Sequence, residues 1–246
     1  MNYHWDWLFL LERADDGRIF ARWLLDAWLT TVLVAVLAFS LALVLGTIVG
    51  TLRVLDNRFA RLIGATYTEL FRNIPLLVQL FIWFMVLPEL VPNGIGMWMK
   101  LDMPATVTGV ISLGLYTSAR IAEQVRSGLG SIGRGQSAAA TALGLSMPQT
   151  FRHVLYPSTF QRIMPTLTNE ALNAFKNSSV TFAVGVAELT FVYRQVIEKT
   201  SQVFEVTILN LAIYLASAVV IFVLATSLDR RLSRFMNIQP GGAHGL

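Results

Sequence analysis

Apolar residues in this chain gather in long runs separated by short polar stretches, instead of recurring singly as the core positions of a soluble domain do. A bilayer's hydrocarbon core is about 30 Å thick and takes roughly 20 apolar helical residues to cross. Five stretches have that length: residues 23–52, about 61–87, about 105–129, near 163–189 and 206–228. The third turns polar after Tyr116 and the fourth is the least apolar. Such segments cross lipid only if their polar residues face other helices or water. The pattern predicts an all-α membrane protein with five transmembrane helices.

The ends read differently. Residues 1–22 combine Trp5 and Trp7 with charge and lack the basic start, short apolar region and small-residue cleavage site of a signal peptide. They are expected to form an interfacial segment, an outer helix with its indoles at headgroup level. Residues 23–230 make the transmembrane domain. Residues 231–246 are an inside tail, expected to be disordered after Phe235, where Pro240, Gly241, Gly242 and Gly245 follow.

Arginine and lysine set the orientation. Arg53, Arg58 and Arg61 follow the first run, four arginines and no acid occupy 126–162, and Arg230, Arg231 and Arg234 follow the last. The alternate connections hold only Lys100, Arg194 and Lys199. Ten basic residues against three, on alternating loops, put the N-terminus outside and the C-terminus inside. The three arginines of residues 1–22 are offset by four acids.

Composition agrees and narrows the chemistry. Hydrophobic residues make up 54% of the 246 and charged ones 14%, well below the charged share of a soluble domain. The chain has no cysteine, so disulfides and thiolate metal sites are excluded. His4, His153 and His244 lie far apart with no ligand spacing, so no metal is expected. A net charge of +4, scattered over several loops, does not suggest nucleic acid.

The inside loop 136–157 carries the most specific pattern. Gln136 to Leu143 reads as an alanine-rich helix stopped by Gly144. Ser146-Met147-Pro148-Gln149 reads as a new helix start, with a cap, a proline in the first turn and capping-box spacing. That second helix is expected to end near His153, before Pro157. Two short helices meeting at a glycine form a rigid knob.

Ala138, Ala139, Ala140 and Gly144, then, after nine intervening residues, Val154-Leu155-Tyr156-Pro157, resemble the EAA coupling loop of ABC importer permeases. Ala138 stands where that family usually has glutamate and Tyr156 where it has leucine. The run Glu69 to Gln79 (ELFRNIPLLVQ) resembles the second-span signature of polar amino acid permeases, and Asn169-Glu170 with Lys176 to Val180 their fourth span. Leu87 to Leu90 and Ile95 to Lys100 resemble the glutamate/aspartate branch. The resemblance covers about residues 23–230.

It implies a type I importer in the bacterial inner (cytoplasmic) membrane. A second permease subunit pairs with this one, a related chain rather than an identical one. Two cytoplasmic ATPase subunits, carrying ATP and Mg, grip the loop at Ala138, Ala139, Ala140, Gly144, Pro148 and Pro157. A periplasmic binding protein hands over the amino acid. This chain has no G-x-x-x-x-G-K-[ST] phosphate loop; it is not expected to be an enzyme or to hold a cofactor.

Polar residues inside spans mark candidate pathways. Tyr116, Arg120, Glu123 and Gln124 share one face of the third run, while Asn169, Asn173 and Asn177 stack along the fourth beside Glu170 and Lys176. In one reading they line the route, with Arg120 or Lys176 meeting the carboxylates of an acidic substrate. In the other, Arg120 pairs with Glu123 and the asparagines tie helices together. Pro75 predicts a kink in the second run, and Gly46-x-x-x-Gly50 a close helix approach. Within the importer class a basic or neutral polar amino acid (histidine, arginine or glutamine) is the alternative substrate. A secondary carrier or a membrane-embedded enzyme would show internal repeats or a catalytic cluster, and the sequence has neither.

Overall fold

The computed structural model describes residues 4–14 and 17–235; the disorder expected after Phe235 lies outside them. The described chain is helical throughout, with one isolated β-bridge between Arg13 and Ile19. Helix α1 spans Phe20–Leu52 and α2 Arg58–Asn73. Helix α3 (Leu76–Phe81) passes through a π-turn, Ile82–Val86, into α4 (Leu87–Leu90), and α5 is Asn93–Leu101. Then come α6 (Ala105–Gly130) and α7 (Arg134–Ala142). Helix α8 (Met147–Thr150) passes through a second π-turn, Phe151–Leu155, into α9 (Tyr156–Asn177). A 3₁₀ stretch, Ser178–Val184, leads to α10 (Leu189–Thr200) and α11 (Val203–Phe235).

Among the described residues, α1 and residues Val203–Arg231 of α11 are long and apolar enough to cross a membrane. Two bent pairs meet the same requirement when joined: Arg58–Asn73 with Leu76–Leu90, and Met147–Val184 with Leu189–Thr200. Helix α6, of 26 residues, rises about 39 Å at 1.5 Å per residue, but Thr, Ser and Gly along it and Arg120, Glu123 and Arg126 in its second half make it more polar. The second run is therefore not one straight span: its halves diverge by 103° at Ile74-Pro75, far more than an ordinary proline kink.

The other prolines act differently. Both π-turns lie just before a proline, Pro88 and Pro157. Proline offers no N–H and its ring crowds the carbonyl four residues back; a wider turn at that point relieves the crowding. The stop expected before Pro157 is thus corrected, because α8 continues into α9. The interfacial helix expected in residues 1–22 is corrected too. The described part holds a single 3₁₀ turn, Leu8–Leu11, and a tight return in which Ala14 N–H donates to Arg18 O at 2.8 Å. Phe9 is buried there against Phe20 at the start of α1, and Asp6 N–H donates to Glu205 of α11 at 2.9 Å.

The most extensive helix pairing is α1 on α6. A Cβ placed on Gly46 would lie 2.7 Å from Ile121 Cγ2, and one on Gly50 2.7 Å from Ala122 O. The G-x-x-x-G face is thus occupied within the chain. Below it, Ala42, Ile121, Val125, Ile163 and Leu167 form a core shared by α1, α6 and α9.

Replacing Gly50 by leucine should overpack this contact at about 1–3 kcal/mol and lower the thermal midpoint of the purified protein by about 5 °C. An unchanged midpoint would mean that the helices do not approach this closely.

Candidate functional site

Helices α6 and α9 pack side by side and leave a polar cavity of about 400 Å³ between them. Arg120 and Gln124, one turn apart, line it from α6; Thr166, Asn169, Glu170, Leu172, Asn173 and Lys176 line it from α9. Six of the eight expected pathway residues therefore converge. Thr166 and Leu172 are additions; Thr166 lies one turn before Glu170, a spacing that would have flagged it.

Glu170 organises the cavity. Its side chain is 6% exposed against 40% for that of Arg120. Arg120 Nε donates to its Oε2 at 2.9 Å and Gln124 Nε2 to its Oε1 at 3.1 Å. Both carboxylate oxygens are thus engaged from α6, as a buried charge requires. Lys176 is exposed and makes no ion pair among the described residues. Gln124 Oε1 is buried without a hydrogen-bond partner.

Glu123 and Asn177 do not join this group. Three residues beyond Arg120, Glu123 is rotated off its face, whereas Gln124 stays close to it. Glu123 bonds Arg53, at the end of α1, and Arg126, so the Arg120–Glu123 pair of the alternative reading is not formed. Asn177 ends α9 and does not line the cavity; neither does Tyr116. A larger cleft of about 820 Å³ lies between α1, α9 and α11, but Ser217 is its one hydroxyl, already bonded to Trp28 Nε1 and Ile213 O. That cleft offers no site for polar chemistry.

The knob lies elsewhere. Gly144 has φ +80°, the left-handed conformation that favours glycine at a helix end. Ser146 N–H donates to Gln149 Oε1 at 2.8 Å, one half of the expected capping box. Ala138, Ala139, Gly144 and Pro148 are exposed, Ala140 is buried and Pro157 half-buried. The apex of the knob, not marked by any spacing in the sequence, is apolar: Leu143 is 82% and Met147 59% exposed. At the root of the knob, Tyr156 Oη lies 3.0 Å from Thr51 Oγ1 of α1, and its ring meets Phe151 and Phe160. Among the described residues no group of three or more metal-ligating side chains comes together.

Comparison with known proteins shows the family. Residues 42–234 match the family of binding-protein-dependent transport system inner membrane components. The chain is 35% identical to the glutamate/aspartate import permease protein GltJ of Escherichia coli K12 over 94% of its own length and 96% of the relative's. It is 31% identical to the probable glutamine ABC transporter permease protein GlnM of Bacillus subtilis, over 85% of this chain and 93% of that one. A crystal structure of an amino acid ABC transporter with histidines aligns with TM-score 0.71 at 27% identity, covering 86% of this chain and 95% of that chain. An inward-facing MetNI methionine ABC transporter aligns with TM-score 0.71 at 20% identity over 85% of this chain and 96% of that chain, a likeness of fold. The chain belongs to the family of binding-protein-dependent transport system inner membrane components, as one of their permease subunits.

Proposed function

We propose that this chain forms half of the translocation channel of an ATP-driven importer and passes acidic amino acids, glutamate or aspartate. The observation that carries this reading is the charge balance of the α6–α9 cavity: Arg120 is neutralised by Glu170, while Lys176 has no acidic partner among the described residues. A cavity with one unmatched cation favours a substrate of net charge −1. The 35% identity to a permease named for glutamate and aspartate import supports it. The Asn169 and Asn173 amides suit a neutral amide substrate such as glutamine, the second reading, which the likeness to GlnM favours.

In this reading the membrane domain, residues 23–230, crosses the inner membrane five times, with α2–α4 as a broken span and α6 as a span sheltered by its neighbours. Residues 1–22 lie on the outer side and 231–246 inside, in keeping with the arginine distribution. A related second permease completes the channel and a periplasmic binding protein delivers the substrate. Two ATPase subunits hydrolyse ATP and grip the knob at Ala138, Ala139, Ala140, Gly144, Pro148 and Pro157. Leu143 and Met147 add an exposed apolar apex, the kind of surface that marks a protein interface. Movement of the knob then tilts α9 against α6 as rigid bodies and exposes the cavity to one side of the membrane at a time.

ATPase activity of the complex in proteoliposomes, with its binding protein and each amino acid in turn, tests the whole assignment. Stimulation by glutamate or aspartate alone is expected; stimulation by glutamine alone favours the second reading, and none by any amino acid refutes both. Replacing Lys176 by glutamine should raise the KM for acidic substrate about tenfold, the scale of one charge-assisted hydrogen bond, while arginine preserves it. An unchanged KM in the glutamine variant removes Lys176 from the route. Replacing Gly144 by valine strains a left-handed position by about 1–2 kcal/mol. Membrane insertion should survive and association with the ATPase should fall; unaltered association and transport would overturn the docking assignment.

A further inference from the structure

The corner between α2 and α3 is closed by one side chain outside the cavity and the knob. Pro75 has no N–H, so the carbonyl of Phe71, four residues back, loses its helical donor. Ile74 is extended (φ −89°, ψ 128°), so its carbonyl also lies outside the helical ladder. In hydrocarbon such groups need a partner from the protein. Gln79 supplies both: its Nε2 donates to Phe71 O at 2.7 Å and to Ile74 O at 2.8 Å. Its backbone N–H donates to Pro75 O at 3.0 Å, and the residue is 2% exposed.

We propose that Gln79 is a positioning residue for transport, whose amide replaces the donor that Pro75 removes and locks the 103° corner as a rigid elbow. The side-chain chemistry is restrictive. Two carbonyls call for two N–H groups on one uncharged head; a carboxylate cannot donate when ionised, and a cation would be buried. The amide orientation follows, since the flipped rotamer would set an oxygen against two carbonyl oxygens. Gln79 Oε1 is consequently buried without a partner: one acceptor is unmet where two would be without the amide.

The elbow places α2 against α6. Tyr67 Oη lies 2.7 Å from Ser118 Oγ, two residues before Arg120, and the Phe71 ring stacks on Trp83 at 6.4 Å across the corner. Loosening the elbow would release both contacts, one of them to the helix that carries Arg120. The transport readout rests on the permease assignment; the geometry of the elbow does not.

The test uses the full chain in its importer complex. Because this chain has no cysteine, spin labels at Leu62→Cys in α2 and Met85→Cys in the π-turn after α3, both exposed, report the distance across the corner when the partner subunits are made cysteine-free. Gln79→Glu and Gln79→Leu should broaden that distance and lower substrate-stimulated transport about tenfold, the scale of one or two lost hydrogen bonds. A narrow, wild-type distance in both variants overturns the proposal, whatever transport does. If Gln79→Leu does not insert, the Pro75→Ala/Gln79→Leu pair decides. Restoring the donor at position 75 should recover insertion with a longer distance, as the helix straightens, and without transport. The wild-type distance with full transport in that pair would also overturn it.

Discussion

Helices α1 and α6 approach so closely that a methyl group at Gly46 or Gly50 would fall within 2.7 Å of Ile121 or Ala122. In lipid no water is squeezed out when two apolar helices meet, so their association depends on close packing. Gly114 continues the contact toward the start of α6, where a Cβ would reach Leu41 at 2.7 Å. This seam fixes the rotation of α6 about its axis. With one face committed to α1, the face carrying Arg120 and Gln124 has to meet α9, and Glu123 is left to reach Arg53 at the end of α1. The polar geometry is thus set by apolar contact between small residues.

The second constraint is the unmet carbonyl. Each proline within a helical stretch strips a donor from a backbone with little access to water, and three different answers occur. Pro88 and Pro157 follow π-turns that widen the helix. Pro165 sits inside α9 without ending it. Pro75 breaks the helix outright, and Gln79 meets the two carbonyls. The difference lies in the neighbours: of these four prolines only Pro75 follows an extended residue, as steric crowding before proline favours, and there the buried Gln79 amide reaches the freed carbonyls.

These two constraints also separate what the sequence could tell from what it could not. The apolar runs of α1 and α11 were legible because their hydropathy needs no partner to interpret it. Arg120 with Gln124, and Asn169 with Glu170 and Asn173, were legible because helical periodicity puts each set on one face. The loss of Glu123 from that face was not, since three-residue and four-residue spacings both read as neighbours until the α1 seam fixes the rotation. The size of the break at Pro75 was hidden as well: a kinked span and a right-angled corner share one hydropathy pattern, and the choice rests on hydrogen bonds from a side chain four residues on. The first 22 residues misled because tryptophan and charge signal an interface but not a helix; the return around Gly17 and the burial of Phe9 decide their form. Leu143 and Met147 looked like ordinary helix-end residues, and only their exposure marks them.

Taken together, the polar contacts form a line from the knob to the cavity. Tyr156, at the root of the knob, meets Thr51 near the end of α1. Two residues on, Arg53 holds Glu123 of α6, and the next residue along α6, Gln124, donates to Glu170 beside Arg120. Each link joins different helices, and each is backed by apolar packing of α1, α6 and α9. Packed helices of this kind shift as units and do not bend gradually. A knob tied by one hydroxyl pair to α1, and by a continuous helix to α9, therefore has two routes to the same cavity. That arrangement gives the tyrosine a use at a position where the EAA loop that this segment resembles usually has leucine: leucine can pack against Phe151 and Phe160, but only the phenol reaches Thr51.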